Sequence, residues 1–144
     1  MGWIFGAVAG GLALCIALLL LAVYVTRDED NVQADNLLAE SFTLAVARAD
    51  RENVPLQLRD VARFDWDRVL LVQAGTSRDD ISRRLGREWT GIDTVDGGDL
   101  LIFLRDGEVV RFADYRGNGR FEGFQRPFDE LPAALNVDDL VIHP

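Results

Sequence analysis

No charged side chain occurs before Arg27, and the run from Trp3 to Val25 reads WIFGAVAGGLALCIALLLLAVYV. Wound as a helix at 1.5 Å per residue, that run is roughly 34 Å long, enough to cross a hydrocarbon core of about 30 Å. Trp3 and Tyr24 stand near its two ends, where aromatic rings favour the membrane interface. Residues 1–26 are therefore read as a single transmembrane anchor. A cleaved signal peptide would carry a basic n-region, a shorter apolar core and a small-x-small cleavage site, and the run lacks the basic start. A lipoprotein signal would place a small residue directly before the cysteine, where Leu14 precedes Cys15. Gly6 and Gly10 form a Gly-x-x-x-Gly pair, with Gly11 beside it, and that spacing lets helices pack closely.

Past the anchor the chain changes character. All 24 acidic residues and all 15 arginines lie at or beyond Arg27, and there is no lysine, so the net charge of -9 belongs to the remainder. That field disfavours nucleic acid, whose binding needs cations to neutralise phosphates, and disfavours a surface lying flat on anionic headgroups. Cys15 is the one cysteine and His143 the one histidine. No disulfide framework or cysteine zinc site can be assembled within one chain from that material, and a Ser-His or Cys-His nucleophile pair has only His143 to draw on. A metal site would have to use carboxylates and carbonyls, which suits calcium or magnesium. No cofactor is expected.

Residues 27–33 begin with the charged run Arg-Asp-Glu-Asp and read as a juxtamembrane linker, and 34–144 as one soluble domain. Leu37, Leu38, Phe42, Ala45, Val46 and Ala49 recur at helical spacing and predict a helix from Ala34 to Ala49. Val54 to Val61 nearly alternates and predicts an extended segment. Arg68–Val72 predicts a buried strand. Thr76 or Ser77 then caps a short helix with Asp79 and Asp80 in its first turn and Gly86 at its end. Asp106-Gly107 between the apolar runs Leu100–Leu104 and Val109–Phe112 is a hairpin signal. Gly119–Phe124 alternates like a third strand, and Phe128–Ile142 reads as a short helix or loop followed by an edge strand. The expected fold class is α+β: an N-terminal transmembrane helix, then one antiparallel sheet of four or five strands packed on one or two helices.

Phe64-Asp65-Trp66-Asp67 running into Arg68–Val72, the Thr76-Ser77 cap, Leu85-Gly86, Trp89 and the Asp-Gly hairpin together resemble a recurring bacterial type. That type is a small exported or membrane-anchored domain of uncharacterised function. The resemblance covers about half the chain. It implies a location at the bacterial plasma membrane with the domain on the extracytoplasmic side, whereas Arg27 alone beside the span, taken by the positive-inside rule, favours the cytoplasmic side; the resemblance implies no chemistry.

Asp65 and Asp67 share one face of a strand and could seat a cation or an acid/base pair, but solvated carboxylates flanking a core Trp66 are the expected arrangement. Asp93, Asp96 and Asp99 in one loop, and Asp114 with Asn118 in another, resemble calcium loops in spacing. Arg116 occupies a place that wants an oxygen ligand and Gln125 the place of a bidentate Glu, so an ordinary turn is expected there. Arg105, Arg111, Arg116 and Arg120 cluster on the hairpin region of an otherwise acidic chain. They are candidate contacts for a protein partner, or the balance to Asp106, Glu108 and Asp114 on a solvated face. Two functions follow. One is a non-enzymatic accessory protein, held in the bilayer, that docks on a membrane or envelope complex through its anchor and domain. The other is a carboxylate-dependent enzyme or calcium-binding module using the Asp-rich loops.

Overall fold

The computed structural model describes residues 34–92 and 97–144. Asp35 opens helix α1 (Asn36–Glu52): its side chain accepts the Leu38 amide N–H at 2.9 Å. Asn53 closes it in the left-handed conformation, which an Asn tolerates, and its N–H donates to the Ala49 carbonyl. The buried face is Leu38, Phe42, Val46 and Ala49.

The segment expected to be extended instead splits into a two-residue strand β1 (Leu56–Gln57) and one helical turn, α2 (Leu58–Val61). Strand β2 (Arg68–Val72) follows, then α3 (Arg78–Leu85), capped by Ser77 and ended by Gly86 at φ 70°. Strands β3 (Asp99–Arg105) and β4 (Glu108–Tyr115) form the hairpin. Its two-residue turn places Asp106 at φ 51° and Gly107 at φ 83°, the left-handed pair that matches the twist of a tight hairpin. A register shift at Phe103/Leu104 marks a bulge. The C-terminal third is four short strands, β5 (Arg120–Phe121), β6 (Phe128–Glu130), β7 (Ala134–Asp138) and β8 (Val141–His143).

The expected architecture needs correction. The strands form two four-stranded sheets, β4-β3-β2-β6 and β1-β7-β8-β5, where one sheet of four or five strands was expected. The tail supplies strands to both, and β5 joins β8 in parallel. Nor is any helix among the described residues long and apolar enough to cross a membrane. The segment read as the transmembrane anchor, with Gly6 and Gly10, lies outside the described residues.

The first sheet explains the continuous apolar runs in β2 and β3. Neither strand alternates with solvent, because both faces are covered. Val69, Leu71, Leu101, Phe103, Ala113 and Tyr115 face α1 and the second sheet, meeting Phe42, Val46, Leu135 and Ile142 in one core. Leu70, Val72, Leu100, Ile102 and Phe112 face the other way, against Ile81 of α3 and Trp89. The second core is small. The ring of Trp89 sits edge-on to Phe112 at 4.9 Å, and its indole N–H donates to the Ile92 carbonyl at 2.9 Å.

Candidate functional site

The first turn of α1 lies against the outer strand of the first sheet. Asp35 N–H donates to the Phe112 carbonyl of β4 at 2.8 Å, and Ala34 forms an isolated parallel bridge to Phe112. This seam brings Arg111 to Asp35, where Nη1 donates to Oδ2 at 2.9 Å. The same guanidinium lies 4.6 Å from the centre of the Phe64 ring. Arg111 therefore holds one side of a groove of about 320 Å³ whose floor is Leu38, Val61 and Phe64 and whose rim includes Leu37 and Arg63. The groove is apolar below and charged at its lip.

Leu37 is the departure from the expected core stripe. It is 75 % exposed, and Leu44, seven residues on, is 65 % exposed. A helix needs only one face for the core, and Leu38, Phe42, Val46 and Ala49 supply it. Leu37 and Leu44 fall on a separate face. The sequence carries this as a second apolar spacing of one heptad, Leu37 to Leu44, running beside the core stripe.

The other hairpin arginines each stand beside a carboxylate. Arg105 Nη1 donates to Asp65 at 2.9 Å, Arg116 Nε donates to Asp114 at 2.7 Å, and Arg120 lies 3.8 Å from Glu122. The four do not converge on one partner: Arg111 pairs with Asp35 at the α1 seam over the Phe64 ring and Arg105 with the neighbouring Asp65, whereas Arg116 and Arg120 pair with carboxylates at or beyond the other end of β4. Asp65 and Asp67 are indeed solvated while Trp66 is buried. Asp67 also accepts the backbone N–H of Asp106 at 2.6 Å, so it ties the hairpin turn to the start of β2. Arg59 stacks over the Trp66 ring at 3.7 Å and donates to the Trp66 carbonyl.

Of the calcium-loop candidates, Asp93 and Asp96 lie outside the described residues. Asp99 and Asp114 alternate onto opposite faces of the first sheet: Asp99 is in register with Tyr115, and Asp114 with Leu100. Asn118 is exposed. Among the described residues no group of three or more His, Cys, Asp or Glu is placed to hold a metal ion. Asp99 nonetheless has a perturbed carboxyl group. Burial raises its pKa, opposed by the Ala74 N–H that it accepts at 2.9 Å and by the charge of Arg126. Burial likewise raises Tyr115, with Asp99 adding to the rise and the Gly119 N–H opposing it.

Comparison of the chain with protein-family models, curated proteins and solved structures returns no match.

Proposed function

We propose that this chain is a non-enzymatic, membrane-anchored accessory protein whose acidic domain docks on a protein partner at the extracytoplasmic side of the bacterial plasma membrane. The observation that carries the reading is the outer face of α1, where Leu37 stands exposed at the groove closed by Arg111 and Leu44 stands exposed two turns further along the helix. Large apolar side chains on a charged surface lose water when a partner covers them, and an arginine at the rim adds directional pairing. Membrane attachment is supported by the uncharged, apolar run from Trp3 to Val25.

Affinity purification of the full chain from native membranes tests the reading. The expected outcome is carbonate-resistant membrane association, an intact Met1 by mass spectrometry, and elution in an assembly larger than one copy. Release by carbonate, a mature N-terminus beyond Val25, or recovery as a free monomer would each overturn it. Arg111→Glu should weaken recovery of the assembly more than Arg120→Glu does, because Arg111 alone of the two closes the groove. A reporter fused after Pro144 reads sidedness.

A further inference from the structure

The outer face of α1 carries a pattern that the core does not use. Leu37, Glu40, Leu44, Arg48 and Arg51 fall on one side of the helix, and all five are exposed. The charges are sorted along that stripe, with the acid before Leu44 and the two arginines after it. A stripe sorted in this way is complementary to itself when run antiparallel. With Leu44 on a two-fold axis, Glu40 of one copy lies beside Arg48 and Arg51 of the other, twice over. Leu44 meets Leu44, and Leu37 lies level with the aliphatic stem of Arg51. Antiparallel packing also sets each helix's positive end against the other's negative end. Arg48 is free to share its charge, because its present pairing with Glu52 at 2.9 Å is a surface contact within the helix.

We infer that α1 pairs antiparallel with α1 of a second copy of this chain, isologously, about an axis at Leu44. The inference rests on the interaction reading above and names its partner. One helix pair is a small interface, so the contact is weak in dilute solution and gains from confinement of both copies to one bilayer, which raises their effective concentration.

Sedimentation equilibrium of the full chain in density-matched detergent micelles tests it with two complementary variants. Glu40→Arg leaves arginines as the only charges among the five stripe residues, and the double variant Arg48→Glu with Arg51→Glu leaves glutamates as the only ones. Each alone should dimerise at least roughly tenfold more weakly than wild type, the sum of several surface pairs lost and made repulsive. Mixed in equal amounts, the two should recover the dimer, as a heterodimer. Leu44→Ser, which alters no charge, should weaken self-association by itself. Melting temperatures near wild type establish that the variants are folded. A wild-type chain that sediments as one copy, self-association indifferent to both charge variants, or a mixture that fails to restore it would overturn the inference. If the wild type is a single copy in micelles but still elutes in an assembly from native membranes, the second copy is wrong while the accessory reading stands.

Discussion

Asp35 binds Arg111 with one carboxylate oxygen while the other caps α1: Oδ2 accepts Arg111 Nη1 at 2.9 Å and Oδ1 accepts the Leu38 N–H at 2.9 Å. One side chain thus starts the helix and fastens it to β4, the edge strand of the first sheet. Loss of an N-cap costs about 1 kcal/mol, and loss of an exposed ion pair about 0.2–1 kcal/mol. Asp35→Ala should therefore lower stability by about 1–2 kcal/mol. Asp35→Ser keeps a capping oxygen and gives up only the pairing with Arg111, so it should cost about half as much. Urea unfolding of the three proteins, with Arg111→Ala and the double variant Asp35→Ser/Arg111→Ala closing the cycle, separates the cap from the pair. Equal losses for Ala and Ser would show that the cap contributes little.

Trp89 is the keystone of the smaller core. It is 2 % exposed, its backbone N–H donates to Ser82 Oγ at 2.9 Å, and its ring meets Phe112. Truncation to Ala removes the largest side chain on that side of the sheet, and such changes cost about 3–5 kcal/mol. Trp89→Phe keeps a ring against Phe112 but leaves the Ile92 carbonyl without its indole donor, for a cost of about 1–3 kcal/mol. Thermal melts followed by circular dichroism should rank the proteins wild type, Trp89→Phe, Trp89→Ala. A Phe variant as damaged as the Ala variant would assign the whole effect to shape.

The pH dependence of stability follows from Asp99. Its folded-state pKa is raised by burial, so the folded protein binds this proton more tightly than the unfolded chain does. The favourable contribution is fully present below the ordinary carboxylate pKa and is lost as pH rises through the raised value. At neutral pH the ionised carboxylate is a cost of folding. Asp99→Asn retains an oxygen for the Ala74 N–H and removes the charge, so it should raise the melting temperature at pH 7 and leave it unchanged near pH 3. A variant destabilised at pH 7 would mean that Arg126 outweighs burial. Tyr115 has the same origin at the alkaline end: its raised pKa makes the neutral phenol the stable folded form, and stability should fall as the phenol is ionised.

Local rules located most elements. Arg68–Val72, the Ser77-to-Gly86 helix and the Asp106-Gly107 hairpin stand where spacing, caps and turn chemistry put them, because each is decided within about ten residues. Pairing was not legible. The Phe128–Glu130 segment is a strand only because it lies against Leu70–Val72, and Arg120–Phe121 only because it lies beside Val141–Ile142 in parallel. Strands of two or three residues carry no periodicity to detect, and their partners are distant in sequence. The same gap hid the second sheet, and with it the reason that β2 and β3 are apolar on both faces. At the interaction surface the arginine cluster was visible as composition, but Asp35 as the partner of Arg111 lies 76 residues away and gave no sequence signal.

Gly119 and Tyr115 form a coupled pair, and the coupling is measurable. The Gly119 N–H donates to the Tyr115 hydroxyl at 2.9 Å, which closes the loop after β4 onto the main core. A Cβ on Gly119 would stand 2.5 Å from that hydroxyl, 2.9 Å from Ile142 Cδ1 and 3.0 Å from Val46 Cγ1. Gly119→Ala therefore forces the loop outward and should cost about 1–3 kcal/mol, the usual range for overpacking. Tyr115→Phe removes the hydroxyl and leaves the Gly119 N–H without its acceptor, for about 0.5–1.5 kcal/mol. The double variant lacks the oxygen that the new methyl group meets most closely, and it has no hydrogen bond left to lose. Its cost should be smaller than the sum of the two single costs by about 0.5 kcal/mol or more, since residues in contact do not add. Relief is incomplete, because Ile142 and Val46 still crowd the methyl group. Chemical denaturation of the four proteins measures the difference, and strict additivity would place the strain at Ile142 and Val46 rather than at the tyrosine.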